Sequence, residues 1–234
     1  LRPETDIEDV ERLQEETEAA RRMMALRGSP GFSGVKPVRE ILDRADRGGC
    51  LSIIELLTVA GLLTSARRTR DYFNDKAGEK SAIDHLFHSL HGNRFLEEKI
   101  KSAILDEDTI ADTASPELAD IRRHMRQAQA KSRQILQKII SSPSYSKILQ
   151  ESLITQRDGR FVVPVKAECK ADMPGLIHDI SSSGATVFVE PMGVVQANNE
   201  LIELQGKEKK EIQRILAQLS ADAAAHKDDI GWDY

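Results

Sequence analysis

Two clusters of residues have side chains that could bind a metal ion or hydrolyse a bond. In the first, His85, His88 and His91 recur three residues apart, so they would share one face of a helix. Gly92 and Asn93 end that helix at once, and no neighbouring cysteine or carboxylate completes a tetrahedral zinc site. We interpret these histidines as a polar helix end and predict no metal site.

The second cluster, His178-Asp179 followed by serines at 181–183, has the residue types of a hydrolase triad. A triad also needs an oxyanion pocket, and a serine-rich turn in a small sheet gives no sign of one. We interpret these side chains as groups that satisfy turn backbone, with Gly184 supplying a positive φ. The motifs H-E-x-x-H, C-x-x-C, G-x-S-x-G and G-x-x-x-x-G-K-[ST] do not occur in the sequence. We therefore predict no catalytic residue in this chain and no cofactor bound to it.

A long basic run offers another chemistry, the neutralisation of phosphate. Between residues 121 and 147 there are seven cations and no acid: Arg122, Arg123, Arg126, Lys131, Arg133, Lys138 and Lys147. On a helix, Arg122, Arg126 and Arg133 fall on one stripe, which could bind nucleic acid without reading its sequence. The overall charge of −5 does not exclude this, because the field is local. The alternative is a charged flank that keeps a coiled-coil arm soluble, or that pairs with the acidic first helix.

The segment 157–199 is the only long stretch with the spacing of strands. Short β-branched and aromatic runs are separated by turn residues, and Asp158-Gly159 is the strongest hairpin signal among them. We predict a small antiparallel sheet that ends at Glu190-Pro191 and is followed by a helix capped at Asn198-Asn199.

Four cations of this sheet join the three arginines as candidate nucleic-acid contacts: Arg157, Arg160, Lys166 and Lys170. We expect Lys166 and Lys170 to alternate onto one face of their strand. Because residues 157–190 also contain five acids, we expect weak binding by one isolated sheet.

Nearly all of the remaining sequence has the period of helices, which predicts a mainly α fold. We predict a helical core over 1–114, an outgoing lever helix over 115–150, a β clamp over 151–192 and a returning lever helix over 193–234. The outgoing helix starts at Ser115-Pro116 and carries a heptad seam: Leu118, Ile121, Met125, Ala128, Ser132, Ile135 and Ile139. The returning helix could supply the partner seam through Leu201, Leu204, Ile212, Ile215, Leu216 and Leu219. The first helix, from Ile7, should pack one side through Val10, Leu13, Thr17 and Ala20.

The chain resembles the clamp region of bacterial MutS-type ATPases in the string GRFVVPVKAECKADMPGLIHDISSSGATVFVEP, followed by VVQANNEL. It is most similar to the MutS-two branch, which lacks the mismatch-reading domains. Three more stretches fit this branch: LRPETDIEDVERLQEETEAA, ADRGGCLSIIELL and DTASPELADIRR. There are two small departures, Phe161 in place of an expected Tyr and Gln196-Ala197 in place of Glu-Leu.

This resemblance implies a homodimeric ATPase that embraces nucleic acid, in many members with a carboxy-terminal nuclease domain. It implies ATP and Mg²⁺ for the full-length protein, and a role in suppressing recombination at branched DNA or in binding and splitting stalled ribosomes. On this hypothesis the chain is an amino-terminal fragment that grips nucleic acid and is not itself an enzyme. The competing hypothesis is a helical scaffold for self-association or partner docking that does not contact nucleic acid.

Two cysteines, Cys50 and Cys169, form no disulfide framework, and the sequence has no signal peptide and no long apolar run. We therefore expect a cytoplasmic protein without membrane contact.

Overall fold

Helices make up most of the structure, and a four-stranded antiparallel sheet is inserted among them. The computed structural model describes residues 4–32, 35–74 and 80–234. The predicted fold class, mainly α with a small inserted sheet, is confirmed.

The chain divides into two compact units, one of residues 1–114 with 214–234 and one of residues 115–213. The helices of the first unit are α1 (Ile7–Arg27), α2 (Arg39–Asp46), α3 (Ile53–Asn74), α4 (Asp84–His88), α5 (Arg94–Ala103) and α9 (Lys227–Asp233). The second unit contains α6 (Pro116–Ile140), α7 (Pro143–Ser146) and the sheet. Helix α8 (Met192–Ala225) belongs to the second unit up to residue 213 and to the first unit from residue 214.

Helices α1, α3 and α5 of the first unit begin at side chains that cap them. Asp6 accepts a hydrogen bond from Glu8 N at 2.9 Å, and Asn93 accepts one from Leu96 N at 2.9 Å. Ser52 and Glu55 form a capping box, in which Ser52 N donates to the Glu55 carboxylate at 2.8 Å.

Helix α3 supplies the core of this unit through one apolar face. Leu56, Val59, Leu63 and Ala66 are all buried. Helix α1 is different, because it buries none of its residues, so the predicted packing of its apolar side is not found.

A buried carboxylate joins α5 to α3. Glu97 is 3% exposed and accepts hydrogen bonds from Arg67 Nε at 2.9 Å, Lys101 Nζ at 2.8 Å and Thr64 Oγ1 at 2.9 Å. The hydrogen bond from Arg67 is the main cause that lowers the pKa of Glu97 to about 2, and it outweighs the opposing effect of burial.

Acidification is expected to remove about 3 kcal/mol of stability through Glu97. Its pKa is about 2 in the fold against an ordinary 4.5, so its stabilisation is complete above pH 4.5 and is lost as the pH falls towards 2. Urea unfolding of the wild type and of Glu97→Gln, measured at several pH values, tests this, because the variant should have a flatter pH profile. Glu98→Gln, at an exposed neighbouring position, is the control. Equal pH profiles for the wild type and Glu97→Gln would contradict the assignment.

Short contacts anchor α9 within the first unit. Asp233 accepts hydrogen bonds from the backbone N–H groups of His91 at 2.7 Å and Gly92 at 2.9 Å. Lys227 Nζ lies 2.8 Å from Asp43 and 2.9 Å from Asp46 on α2. The returning helix ends at Ala225 and a separate helix follows, whereas the sequence predicted one returning lever helix over 193–234.

In the second unit, α6 starts at the predicted cap. Ser115 Oγ accepts a hydrogen bond from Leu118 N at 3.0 Å, and Pro116 occupies the first helical position. The buried residues of α6 follow the predicted seam at first and then drift: Leu118, Ile121, Ala128, Ser132 and Leu136. Leu136 is fully buried, whereas the predicted Ile135 is only partly buried, because a straight helix turns once in 3.6 residues and not in 3.5.

The sheet contains β1 (Thr155–Arg157), β2 (Arg160–Lys166), β3 (Gly175–Ile180) and β4 (Thr186–Pro191) in the order β1-β2-β4-β3, and all neighbours are antiparallel. Asp158 and Gly159, at φ 50° and 76°, form the predicted tight hairpin between β1 and β2. A bulge in β3 lies between Ile177 and Asp179.

Two predictions about this region are wrong. Strand β2 ends at Lys166, and Lys170 lies on a 3₁₀ helix (Ala167–Asp172), so the two lysines do not share a strand face. Helix α8 begins at Met192, directly after β4, so Asn198 is an interior residue of the helix and not its cap.

Candidate nucleic-acid interface

The two long helices of the second unit run antiparallel and are bonded along their length. Among the side-chain hydrogen bonds that join α6 to α8 are Ser115 Oγ to Glu211 at 2.6 Å, Arg122 Nε to Glu208 at 2.7 Å and Ser132 Oγ to Asn198 at 3.4 Å. Residues later in α6 are therefore bonded to residues earlier in α8. The lever arms therefore have the antiparallel arrangement that the paired seams predicted.

One hydrophobic core holds the sheet and both helices together. The buried residues that meet there are Ala128 and Leu136 of α6, Phe161, Val163 and Val165 of β2, Val187 and Val189 of β4, Val194 and Leu201 of α8, and Leu149 and Met173. Because the sheet shares a core with α6, its position on the helix is fixed by packing.

A buried polar cluster, which we call the Glu190 cluster, lies where β4 passes into α8. Glu190 is fully buried and accepts hydrogen bonds from Arg160 at 2.9 and 3.1 Å and from Asn198 Nδ2 at 2.8 Å. His178 Nε2 lies 2.5 Å from the same carboxylate. Asn198 also donates to the backbone carbonyl of Phe161 at 3.0 Å. Strands β2, β3 and β4 are therefore tied to α8 through one side chain.

The outer side of the sheet carries a second ion pair. Arg157 Nε lies 2.9 Å from Asp179, and the Arg157 guanidinium lies 3.8 Å from the centre of the Phe188 ring. The arginine thus links β1 to β3 across β2 and β4, through its charge and by stacking on Phe188 of β4.

Most of the seven predicted contact residues, Arg126 included, have partners inside the protein. Arg122, Arg157 and Arg160 form ion pairs with Glu208, Asp179 and Glu190. Arg133 lies 5.5 Å from the centre of the Phe161 ring, and Lys166 Nζ donates to the carbonyl of Lys147 at 3.0 Å. The carboxylate that pairs with Arg122, Glu208, lies on α8, whereas the alternative for the basic run placed such partners on the acidic first helix.

Several cations of the basic run nevertheless face solvent. The exposed ones on α6 are Arg123, Arg126, Lys131, Arg133 and Lys138, and Lys147 and Lys170 are exposed beyond the helix. Arg123 pairs with Asp120, which precedes the acid-free run. An exposed basic surface therefore remains on α6 after the internal contacts of Arg122 are taken into account.

The histidine cluster around α4 and the serine turn before β4 make contacts within the protein. Within the described ranges, no group of three or more histidine, cysteine, aspartate or glutamate side chains could hold a metal ion. His91 lies near Asp229 and Asp233, at 3.7 and 3.6 Å. The serine turn is a structural turn as interpreted: Gly184 N donates to the carbonyl of Ser181 at 2.8 Å, and Gly184 has φ 72°.

Comparison with known proteins identifies relatives of this chain. No family model matches the chain. Curated proteins named Endonuclease MutS2 do match, among them the following three. The protein from Ruminiclostridium cellulolyticum is 48% identical over 226 residues, which cover 96% of this chain and 28% of that protein. Those from Pelotomaculum thermopropionicum and Acetivibrio thermocellus are 46% and 44% identical and cover 99% and 95% of this chain.

The resemblance to the MutS-two family is confirmed. The chain spans 28 to 29% of the length of these MutS2 proteins. Over residues 4–32, 35–74 and 80–234, the structure contains no helix that is long and apolar enough to cross a membrane.

The buried polar residues of this MutS2-related unit were not predicted from the sequence. Glu190 was interpreted as the end of a strand and Asn198 as a helix cap. A signal was present on α8, where Glu208 and Glu211 continue the alternating three- and four-residue spacing of Val194, Leu201 and Leu204. Polar residues in such a seam predict partners on the facing helix.

Proposed function

We propose that this chain is the nucleic-acid-gripping lever and clamp of a MutS2-type protein, with no catalysis of its own. The observation that carries the proposal is the exposed basic surface of α6, on an arm that also carries the sheet through a shared core. Cations on a rigid arm can bind phosphates of any sequence, and such binding weakens steeply as salt is added. The name Endonuclease, which the matching proteins carry, supports a nucleic acid as the partner.

Exposure to solvent narrows the set of candidate phosphate-binding residues. Arg122, Arg157 and Arg160 maintain the arm and the sheet through ion pairs. We assign the phosphate contacts to exposed cations, chiefly Arg126 and Arg133 on α6 and Lys170 beyond β2. Because phosphate contacts do not depend on base sequence, the partner is recognised by charge and shape.

The resemblance to the MutS-two family suggests two cellular roles for the grip. The grip would act on branched DNA during the suppression of recombination, or on ribosomal RNA when stalled ribosomes are bound and split. In the full-length protein it would work as a homodimer in the cytoplasm, driven by ATP and Mg²⁺. The chain has no G-x-x-x-x-G-K-[ST] sequence, so nucleotide binding would fall to another part of such a protein.

Reversing the charge of Arg126 and Arg133 together is expected to weaken nucleic-acid binding and to reduce the slope of log affinity against log salt by about 2. We would titrate the chain into labelled linear duplex, a four-way DNA junction and ribosomes, and follow anisotropy or co-sedimentation at low and physiological salt. The partner with the strongest salt-sensitive binding identifies the target.

The matched control is Lys209→Glu with Lys210→Glu, which changes the net charge equally at exposed positions on α8. The control should retain most of the affinity. If both double variants bind as tightly as the wild type, the basic-surface assignment is wrong. If the wild type binds none of the three partners and the intact protein also fails to bind them, the scaffold hypothesis is favoured.

A further inference from the structure

Arg133 of α6 makes a different kind of contact from three of the other predicted contact arginines. Arg122, Arg157 and Arg160 each donate N–H groups to a carboxylate, which uses those donors and offsets the charge. The guanidinium carbon of Arg133 instead lies 5.5 Å from the centre of the Phe161 ring. A cation–π contact uses no hydrogen-bond donor and brings no opposite charge. This contact therefore leaves the charge and the N–H groups of Arg133 available to an anionic ligand.

Phe161 is a rigid support for this cation. The residue is 3% exposed and packs in the core that β2 shares with α6 and α8. Its backbone N–H donates to Asn198 Oδ1 at 3.3 Å, and its carbonyl accepts a hydrogen bond from Asn198 Nδ2 at 3.0 Å. Asn198 is itself fully buried and also donates to Glu190 at 2.8 Å. The buried contacts of the Glu190 cluster thus fix the strand that carries the ring.

The helix position next to Arg133 is fixed to the same amide. Ser132 is fully buried, and its hydroxyl donates to Asn198 Oδ1 at 3.4 Å. One side chain of α8 therefore positions both the α6 backbone at this point and the strand of Phe161. An arginine that is free in solution loses rotamer freedom when it binds a phosphate, and this loss weakens binding. An arginine that a fixed ring already orders loses less.

We propose that Phe161 is a positioning residue for the nucleic-acid grip, because its ring orders the Arg133 guanidinium before a phosphate binds. This inference rests on the proposed function of the basic surface of α6 and adds a residue of the sheet to it. Phe161 is too buried to contact the ligand itself. Its effect on affinity must therefore pass through Arg133.

The mobility of Arg133 in the chain without nucleic acid tests the first step. The ¹H–¹⁵N nuclear Overhauser effect of its side-chain Nε–Hε group reports motion on the picosecond to nanosecond timescale. This group should be restricted in the wild type and mobile in Phe161→Leu, which keeps an apolar side chain but removes the ring. Phe161→Tyr, which keeps the ring, should retain the restriction. Equal mobility of Arg133 in the wild type and in Phe161→Leu would overturn the proposal.

A double-mutant cycle in binding to a labelled linear DNA duplex at low salt separates positioning from a folding role. Phe161→Leu should weaken binding about three- to tenfold when Arg133 is present, and less than about twofold in the Arg133→Gln background. Phe161→Tyr should bind like the wild type. Phe188→Leu is the matched control, because the arginine on that ring, Arg157, is already paired with Asp179. The control should leave the affinity unchanged.

The outcomes of the cycle distinguish this inference from the proposed function. Thermal unfolding followed by circular dichroism gives the temperature range in which every variant is folded, and the titrations are made within it. If Arg133→Gln alone leaves the affinity unchanged, the phosphate assignment is wrong and the inference falls with it. If Arg133→Gln weakens binding but Phe161→Leu weakens it equally in both backgrounds, the proposed function stands and Phe161 has only a folding role.

Discussion

Replacement of Glu190 by alanine is expected to lower the free energy of unfolding of the 115–213 unit by about 3 to 5 kcal/mol. The carboxylate is fully buried and is the shared partner of Arg160, His178 and Asn198. Its removal leaves the Arg160 guanidinium, whose side chain is only 21% exposed, without its countercharge, and it leaves buried donors without an acceptor.

Denaturant unfolding followed by circular dichroism measures this loss, and hydrogen exchange of β2 and β4 locates it. Glu200→Ala is the matched control, because Glu200 is an exposed glutamate on the same helix as Asn198. The control should change stability by less than about 0.5 kcal/mol. A loss at Glu190 no larger than that of the control would show that the Glu190 cluster does not hold the sheet on α8.

Truncation of Leu136 to alanine is expected to cost about 2 to 5 kcal/mol, the range of a fully buried leucine in a packed core. Leu136 lies in the core that α6 shares with β2, β4 and α8, and it is fully buried. Ile135 is only partly buried, so Ile135→Ala should cost clearly less. The heptad pattern of the sequence predicts the opposite order.

Thermal and denaturant unfolding of the two variants decide between these orders. Sedimentation of both variants is the accompanying control, since a seam used between copies of the chain would change the mass along with the stability. A larger loss at Ile135 than at Leu136 would mean that α6 follows a strict seven-residue repeat in solution.

Local chemistry made much of the fold predictable from the sequence. Asp158-Gly159 predicted a tight hairpin because both residues tolerate a positive φ. Ser115-Pro116 and Ser52 have the residue types that begin helices, and both begin helices in the structure. The regular spacing of apolar residues around Leu63 on α3 indicates a buried face. Each of these signals depends on a few neighbouring residues, so the tertiary structure did not alter them.

The contacts that could not be predicted from the sequence depend on distant partners. Asn198 has the residue type of a helix cap, but α8 starts at Met192 and its amide bonds to Glu190 and Phe161. Arg122 and Arg160 have the charge that a phosphate requires, yet carboxylates distant in sequence, Glu208 and Glu190, pair with them. The sequence shows which cations exist, and only the packing shows which of them face solvent.

The bulge in β3 also bears on how the sheet avoids aggregation. This edge strand exposes Leu176, Ile177 and Ile180, which would normally make its free backbone a template for further strands. The extra residue, His178, turns inward to Glu190 and breaks the regular row of N–H and C=O groups. An incoming strand would therefore meet a mismatch at the centre of the edge, so the residue that completes the Glu190 cluster also hinders uncontrolled sheet growth.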